Sequence, residues 1–201
     1  MWKGVKLNDE KRRSEIEEAA YNLLIDKGFK ATSMLAVARL AKASNETLYK
    51  WYGDKLGLCA AMIERNTKAV EAELITVRAD GKVGLEALNS VGKTLLKMVT
   101  GNKAVALNRA AAGDPSGRLG ALLAKEGRSR VAPQIAELIQ QIYGSGIDVR
   151  ECAETYISLL IGDIQIRRAT GAIAAPSKED IEKRADRALS QLQILYPDTS
   201  R

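Results

Sequence analysis

TSMLAVARLAKASNETLYKWYGDK, residues 32–55, reads as two short helices joined by a tight corner. Val37, Ala38 and Ala41 fall on one side of the first helix, which Thr32 or Ser33 can cap through a side-chain oxygen. Lys42 and Ala43 interrupt it. Ser44 is a good cap for a second helix over Asn45 to Trp51, because its hydroxyl can accept the otherwise unpaired amides at Glu46 or Thr47. Leu48 points inward from that helix and leaves Asn45, Thr47, Tyr49 and Lys50 on or near the opposite side. This mixture suits a DNA surface. Asn can bond an adenine edge and Thr a base or a thymine methyl, while Tyr and Lys can hold phosphate oxygens.

Working outward, Gly28 and Phe29 close the preceding helix, Tyr52 follows the second short helix, and Lys55 stands three residues before Leu58. With Thr32-Ser33, Val37-Ala38, Ala41 to Ser44 and Thr47 to Tyr49, these residues resemble the TetR family of one-component bacterial transcriptional regulators from about Asp9 to Arg65. The resemblance implies an all-α chain. Residues 1–55 would form an N-terminal three-helix helix-turn-helix domain that binds DNA, and residues 56–201 a helical ligand-binding and dimerisation domain.

Two residues depart from the family pattern. Lys42 stands where the turn glycine usually sits, so a non-glycine residue must take up a left-handed conformation at some cost. Glu46 places a negative charge at the start of the recognition helix, where it suits the helix dipole and repels phosphate. Candidates for base or near-base contacts are Ser44, Asn45, Thr47 and Lys50; candidates for phosphate contacts are Thr32, Ser33, Tyr49, Tyr52 and Lys55.

Composition narrows the alternatives. The 201 residues are 46% hydrophobic and 28% charged, enough to bury a sizeable core. No uninterrupted apolar run approaches the roughly 20 residues of a membrane span, and residues 1–8 are polar, without a secretory-signal pattern. A cytoplasmic protein is therefore expected. A formal net charge of +6 suits a polyanionic partner. The chain has no histidine, which removes the mechanisms that use a histidine base or metal ligand. Neither enzymatic activity nor a cofactor or metal is expected. Cys59 and Cys152, far apart, read as buried structural thiols.

The flanking segments also read as helices. Ile16, Ala19, Ala20, Leu23 and Leu24 give residues 9–27 one buried face, capped by Asn8 or Asp9 and stopped by Gly28. Ahead of it lies a basic arm in which Lys3 and Lys6 can add phosphate contacts. Further helices are expected over 56–70, 83–99, 103–112, 119–143 with an interruption at Pro133, 150–170, and from Ser177 onward. The family resemblance implies that a shift of the fourth helix converts a ligand signal into a change in DNA affinity. The arrangement of residues 107–170 looks like the AefR-like subgroup.

The resemblance implies a homodimer paired through the last two helices, on a palindromic double-stranded operator read in major grooves about 34 Å apart. Tyr156, Ile157, Leu160, Ile164, Ala185, Ala188, Leu192 and Leu195 are the candidates for that interface. A small-molecule effector pocket is expected among Leu95, Met98, Leu107, Arg109, Leu122, Tyr143, Tyr156 and Asp163, with Arg109 able to pair with an anionic ligand or with Asp114. Low aromatic content, at 4%, favours an aliphatic effector. Gly92-Lys93-Thr94 lacks the upstream glycine of a phosphate-binding loop and carries no nucleotide reading. The rival reading is a helical interaction module whose helix-turn-helix no longer binds DNA.

Overall fold

The computed structural model describes residues 2–81, 83–144 and 146–197. Among them the chain forms eleven α-helices, a π-helical turn and no strand. In order these are α1 (Trp2–Ala31), α2 (Met34–Leu40), α3 (Asn45–Tyr52), α4 (Lys55–Ala79), α5 (Gly84–Thr100), α6 (Asn102–Ala112) and α7 (Arg118–Leu123). The π turn (Ala124–Arg128) leads to α8 (Ser129–Tyr143), α9 (Val149–Ile161), α10 (Ile164–Thr170) and α11 (Lys178–Leu195). None of the described helices is long and apolar enough to cross a membrane.

Two cores organise these helices. Ile16, Ala20 and Leu24 of α1, Val37 and Ala38 of α2, Leu48 and Tyr52 of α3, and Leu58 and Met62 of α4 make the first, together with Leu107 and Ala110 of α6. Val70, Leu74 and Val77, later in α4, belong instead to a second core with α5, α8, α9 and α11. The boundary drawn at 55/56 is thus the start of a helix that serves both cores. Cys59 and Cys152 are buried free thiols, and burial pushes each up to about 11.

Several helix ends follow from side-chain capping. The hydroxyl of Ser33 accepts from the Ala36 amide at 3.1 Å, that of Ser44 from Thr47 at 3.0 Å, and the Asp54 carboxylate from Gly57 at 2.8 Å. Ser177 and Asp180 form a reciprocal capping box at the start of α11. Gly92 has a different task from phosphate binding. A side chain there would run into the Tyr156 hydroxyl, which donates to the Leu88 carbonyl at 3.1 Å.

Other boundaries differ from the expectation. The first helix begins at Trp2 rather than Asp9, so the basic arm is helical; the Lys3 and Lys6 side chains lie outside the described residues. Gly28, at φ 75°, ψ 174°, does interrupt the helical backbone. The helix expected to break at Pro133 instead accommodates that residue in the first turns of α8 and departs upstream, in the π turn. A proline cannot donate to the carbonyl four residues back, which is why relief is needed on its amino-terminal side.

Residues 150–170 form two helices, not one. Gly162 takes φ 48°, and the Arg184 guanidinium donates to the Leu160 and Ile161 carbonyls at 2.6 and 2.9 Å, satisfying the end of α9.

The expected dimer-interface residues are mostly spoken for. Tyr156, Ile157, Leu160, Ala185, Ala188 and Leu192 are buried inside the subunit, because α9 and α11 pack on each other and on α5. Ile164 is half-buried against the same core. Leu195 is 58% exposed and Ile194 beside it 78%.

Candidate nucleic-acid interface

α3 is short and amphipathic. Leu48 and Tyr52 are its buried residues, and Ser44, Asn45, Glu46, Tyr49 and Lys50 are exposed, Tyr49 at 53%. Thr47 is half-buried, with its hydroxyl 2.8 Å from that of Ser44. The outward side of this helix therefore presents an amide, a phenol, an ammonium and two hydroxyls, with one carboxylate at its amino end. Ser33 is exposed at the cap of α2. These groups can together bond base edges and phosphate oxygens.

The corner between α2 and α3 holds this face in place. Lys42 has φ 51°, and it is the non-glycine residue with a positive φ among those described. Backbone bonds from Lys42 to Arg39 and from Ala43 to Ala38 close the end of α2, and the Lys42 carbonyl accepts from Arg12 of α1 at 2.6 Å. The left-handed residue costs about 1–2 kcal/mol. The capping bonds and the Arg12 contact offset that cost locally. Sequence reasoning passed over Arg39, which is exposed beside the turn. Its position at the carboxyl end of α2 was the available signal.

Three of the expected phosphate contacts turn inward. Thr32 is 5% exposed and donates its hydroxyl to the Gly28 carbonyl at 2.9 Å. Tyr52 is 8% exposed, with its hydroxyl 3.3 Å from the Glu17 carboxylate. The Lys55 ammonium donates to the Phe29 carbonyl and lies 3.6 Å from the centre of the Phe29 ring. Burial holds Lys55 below the usual lysine range. All three face α1 because the chain here must pack α2, α3 and the start of α4 against a single preceding helix. They position the outward face and do not belong to it.

Behind this face lies a buried charge. Glu17 is 3% exposed, receives a hydrogen bond from Arg65 Nε and another from Arg65 NH2 at 3.3 Å, and also faces Tyr52. Its hydrogen bonding raises the Arg65 pKa further. Arg13 lies over Trp51 at 4.9 Å. α1, α3 and α4 are thereby tied at one point.

A cavity of about 260 Å³ sits between the two cores, lined by residues of α4 to α10 and of the π turn. Of the residues expected around an effector, Leu95, Met98 and Leu107 line it. Leu122 packs on the first core and Tyr143 on the second; Tyr156 is buried with its hydroxyl on Leu88. Arg109 donates to the Arg168 and Ala169 carbonyls, and Asp163 is exposed, 3.9 Å from Arg167. Arg109 does not pair with Asp114, whose carboxylate accepts from Ser116 and Leu119. Helical periodicity located the right segments but not their rotation, and Ile63, Asn66 and Thr67 of α4 were missed for the same reason.

The architecture of α1 to α4 is that of a helix-turn-helix unit, and comparisons extend the likeness to the whole chain. Residues 16–62 match the model of bacterial regulatory proteins of the tetR family, and residues 86–196 that of the AefR-like transcriptional repressor, C-terminal domain. The chain belongs to the TetR family. A TetR transcriptional regulator from Agrobacterium tumefaciens is 29% identical, with a TM-score of 0.69 over 92% of this chain and 94% of that one. The flavonoid-responsive regulator FrrA is 25% identical, with a TM-score of 0.67 over 92% and 97%. The uncharacterized HTH-type transcriptional regulator YdeS of Bacillus subtilis (strain 168) is 45% identical over 47 residues, which are 23% of this chain. The match spans 24% of YdeS. These TetR-family relatives are regulators and not enzymes.

Proposed function

We propose that this TetR-family chain is a cytoplasmic, DNA-binding transcriptional repressor that sits as a homodimer on a palindromic operator and leaves it when a small molecule occupies the cavity. The observation that carries the reading is the outward face of α3, where Asn45, Tyr49 and Lys50 are exposed on a helix anchored by Leu48. The cavity supports the effector. Its apolar residues Leu95, Met98 and Leu107 suit an apolar molecule, which would lie against Ile63 and Thr67 of α4. The start of α4 packs in the same core as α3. A dimer formed through α9 and α11 would use their outward residues, Ile194 and Leu195 among them, since the inner ones are buried.

Selection of bound sequences from random duplex DNA at two salt concentrations tests the DNA reading. A recovered sequence with two-fold symmetry is expected; failure to retain any duplex at either salt concentration would instead favour the interaction-module reading. Lys50, expected from the sequence near the bases, is an exposed cation that can also reach a phosphate, so on that selected duplex Lys50→Ala should flatten the salt dependence of binding by about one unit through loss of that contact. Asn45→Ala should discriminate among operator variants, with about 1–3 kcal/mol lost on the best one. An equal loss on every variant would remove Asn45 from base reading.

A further inference from the structure

A second depression lies on the other side of α6, between that helix, the carboxyl end of α1 and α10. Its volume is about 490 Å³, and it shares no lining residue with the aliphatic cavity. α6 gives Leu107 and Asn108 to the cavity and Val105 and Arg109 to this groove. Two different faces of one helix therefore serve two spaces.

The charge of the groove is one-sided. Lys27 and Lys30 stand on the α1 wall and Arg109 and Arg168 on the other, with no carboxylate among the lining residues. Arg168 is the telling member. It is 9% exposed, and its guanidinium donates to neutral acceptors: the Thr100 carbonyl at 3.1 Å, the Ile173 carbonyl at 3.2 Å and Asn102 Oδ1 at 2.9 Å. Among the described residues no carboxylate forms an ion pair with it. A buried cation without a counter-charge is costly, and an anion supplied from solution would remove that cost. Arg109, held by the Arg168 and Ala169 carbonyls, keeps further N–H donors, since a guanidinium carries about five.

Apart from Asn102, whose Oδ1 is taken by Arg168, the rest of the lining is apolar, and Ile25 and the half-buried Phe29 offer it accessible surface. None of it comes from α2 or α3. A DNA phosphate backbone has no use for an apolar floor, and the face that would read bases lies on other helices. We propose that this groove binds a small organic anion with an apolar tail, its head group held by Arg168, Arg109 and the two lysines and its tail laid on Ile25 and Phe29.

Calorimetric titration of the full-length protein with decanoate, in the absence of DNA, tests the site independently of the DNA-binding reading. Saturable binding is expected. The double variant Lys27→Glu/Lys30→Glu, which alters two exposed side chains, should weaken it at least tenfold. Ala132→Phe, which intrudes on the aliphatic cavity alone of the two, should leave it unchanged. 1-Decanol should not compete for the groove, and inorganic phosphate should bind more weakly than decanoate. The proposal is overturned by equal affinity in the lysine variant, by loss in Ala132→Phe, by effective competition from decanol, or by phosphate binding as tightly as decanoate. Absence of saturable decanoate binding overturns it as well.

Discussion

Arg65→Ala is expected to lower the stability of the folded chain by about 3 kcal/mol, the low end for breaking a buried ion pair from one side. The low end applies because Arg65 itself is 29% exposed, so water can partly replace it, whereas Glu17 is 3% exposed and cannot be reached as easily. Without Arg65 the Glu17 carboxylate would keep the Tyr52 hydroxyl as a neighbour and little else on that side. For a chain of this length the loss corresponds to a fall of about 6–12 °C in Tm. Thermal unfolding followed by circular dichroism measures it. Glu17→Gln added to Arg65→Ala should recover much of the loss, since a neutral amide needs no counter-charge. If the double variant were no more stable than the single one, lost packing of the arginine stem would be the cause and the buried charge would not.

Leu48→Ala should have a comparable effect on stability and a distinct one on binding. Leu48 is fully buried and, with Tyr52, is what holds α3 to the first core. Truncating a buried leucine costs about 2–5 kcal/mol, set by how far the site can collapse. The remaining helix, eight residues long, is too short to stay formed without that anchor. Affinity for every duplex should therefore fall at least tenfold, the cost of re-forming the helix on the DNA, while the salt slope is retained because the re-formed helix makes the same phosphate contacts. Denaturant unfolding and binding at several salt concentrations read the two effects separately. A slope that fell as it should in Lys50→Ala would mean that the helix had lost its phosphate contacts along with its seat.

The caps and the corner were legible from sequence because they depend on residues a few positions apart. Ser33, Ser44 and Ser177 could be read as caps from their local setting alone, and the left-handed Lys42 from the family resemblance, which puts a turn glycine at that position. The roles of Thr32, Tyr52 and Lys55 were not legible in the same way. A hydroxyl or an ammonium near a helix end can face DNA or the preceding helix with equal chemistry, and what decides here is the approach of α1, through Gly28, Glu17 and Phe29. The apolar stripes of α9 and α11 were read correctly as stripes. Which neighbour covers them depends on α5, 68 residues before α9 at the Leu88–Tyr156 contact and 97 before α11 at Asn89–Asp186, and periodicity carries no such information. The break at Gly162 escaped notice because the glycine interrupts a pattern that resumes two residues later in α10.

α4 runs unbroken for 25 residues, a rod of about 37 Å. Its first half is gripped by one group of helices and its second half by another, so in the proposed response to a ligand it would act as a lever with its fulcrum where the grips change over. Ile63, Asn66 and Thr67, which border the cavity, lie in the half nearer α3 and close to that changeover. A tilt of about 5° around the midpoint would carry the amino end of such a rod through about 1.6 Å. In the proposed function, pressure applied near the pivot would produce its largest travel at Asp54 and Lys55, beside the end of α3, so that a small rearrangement around a bound guest would be enlarged before it reached the surface.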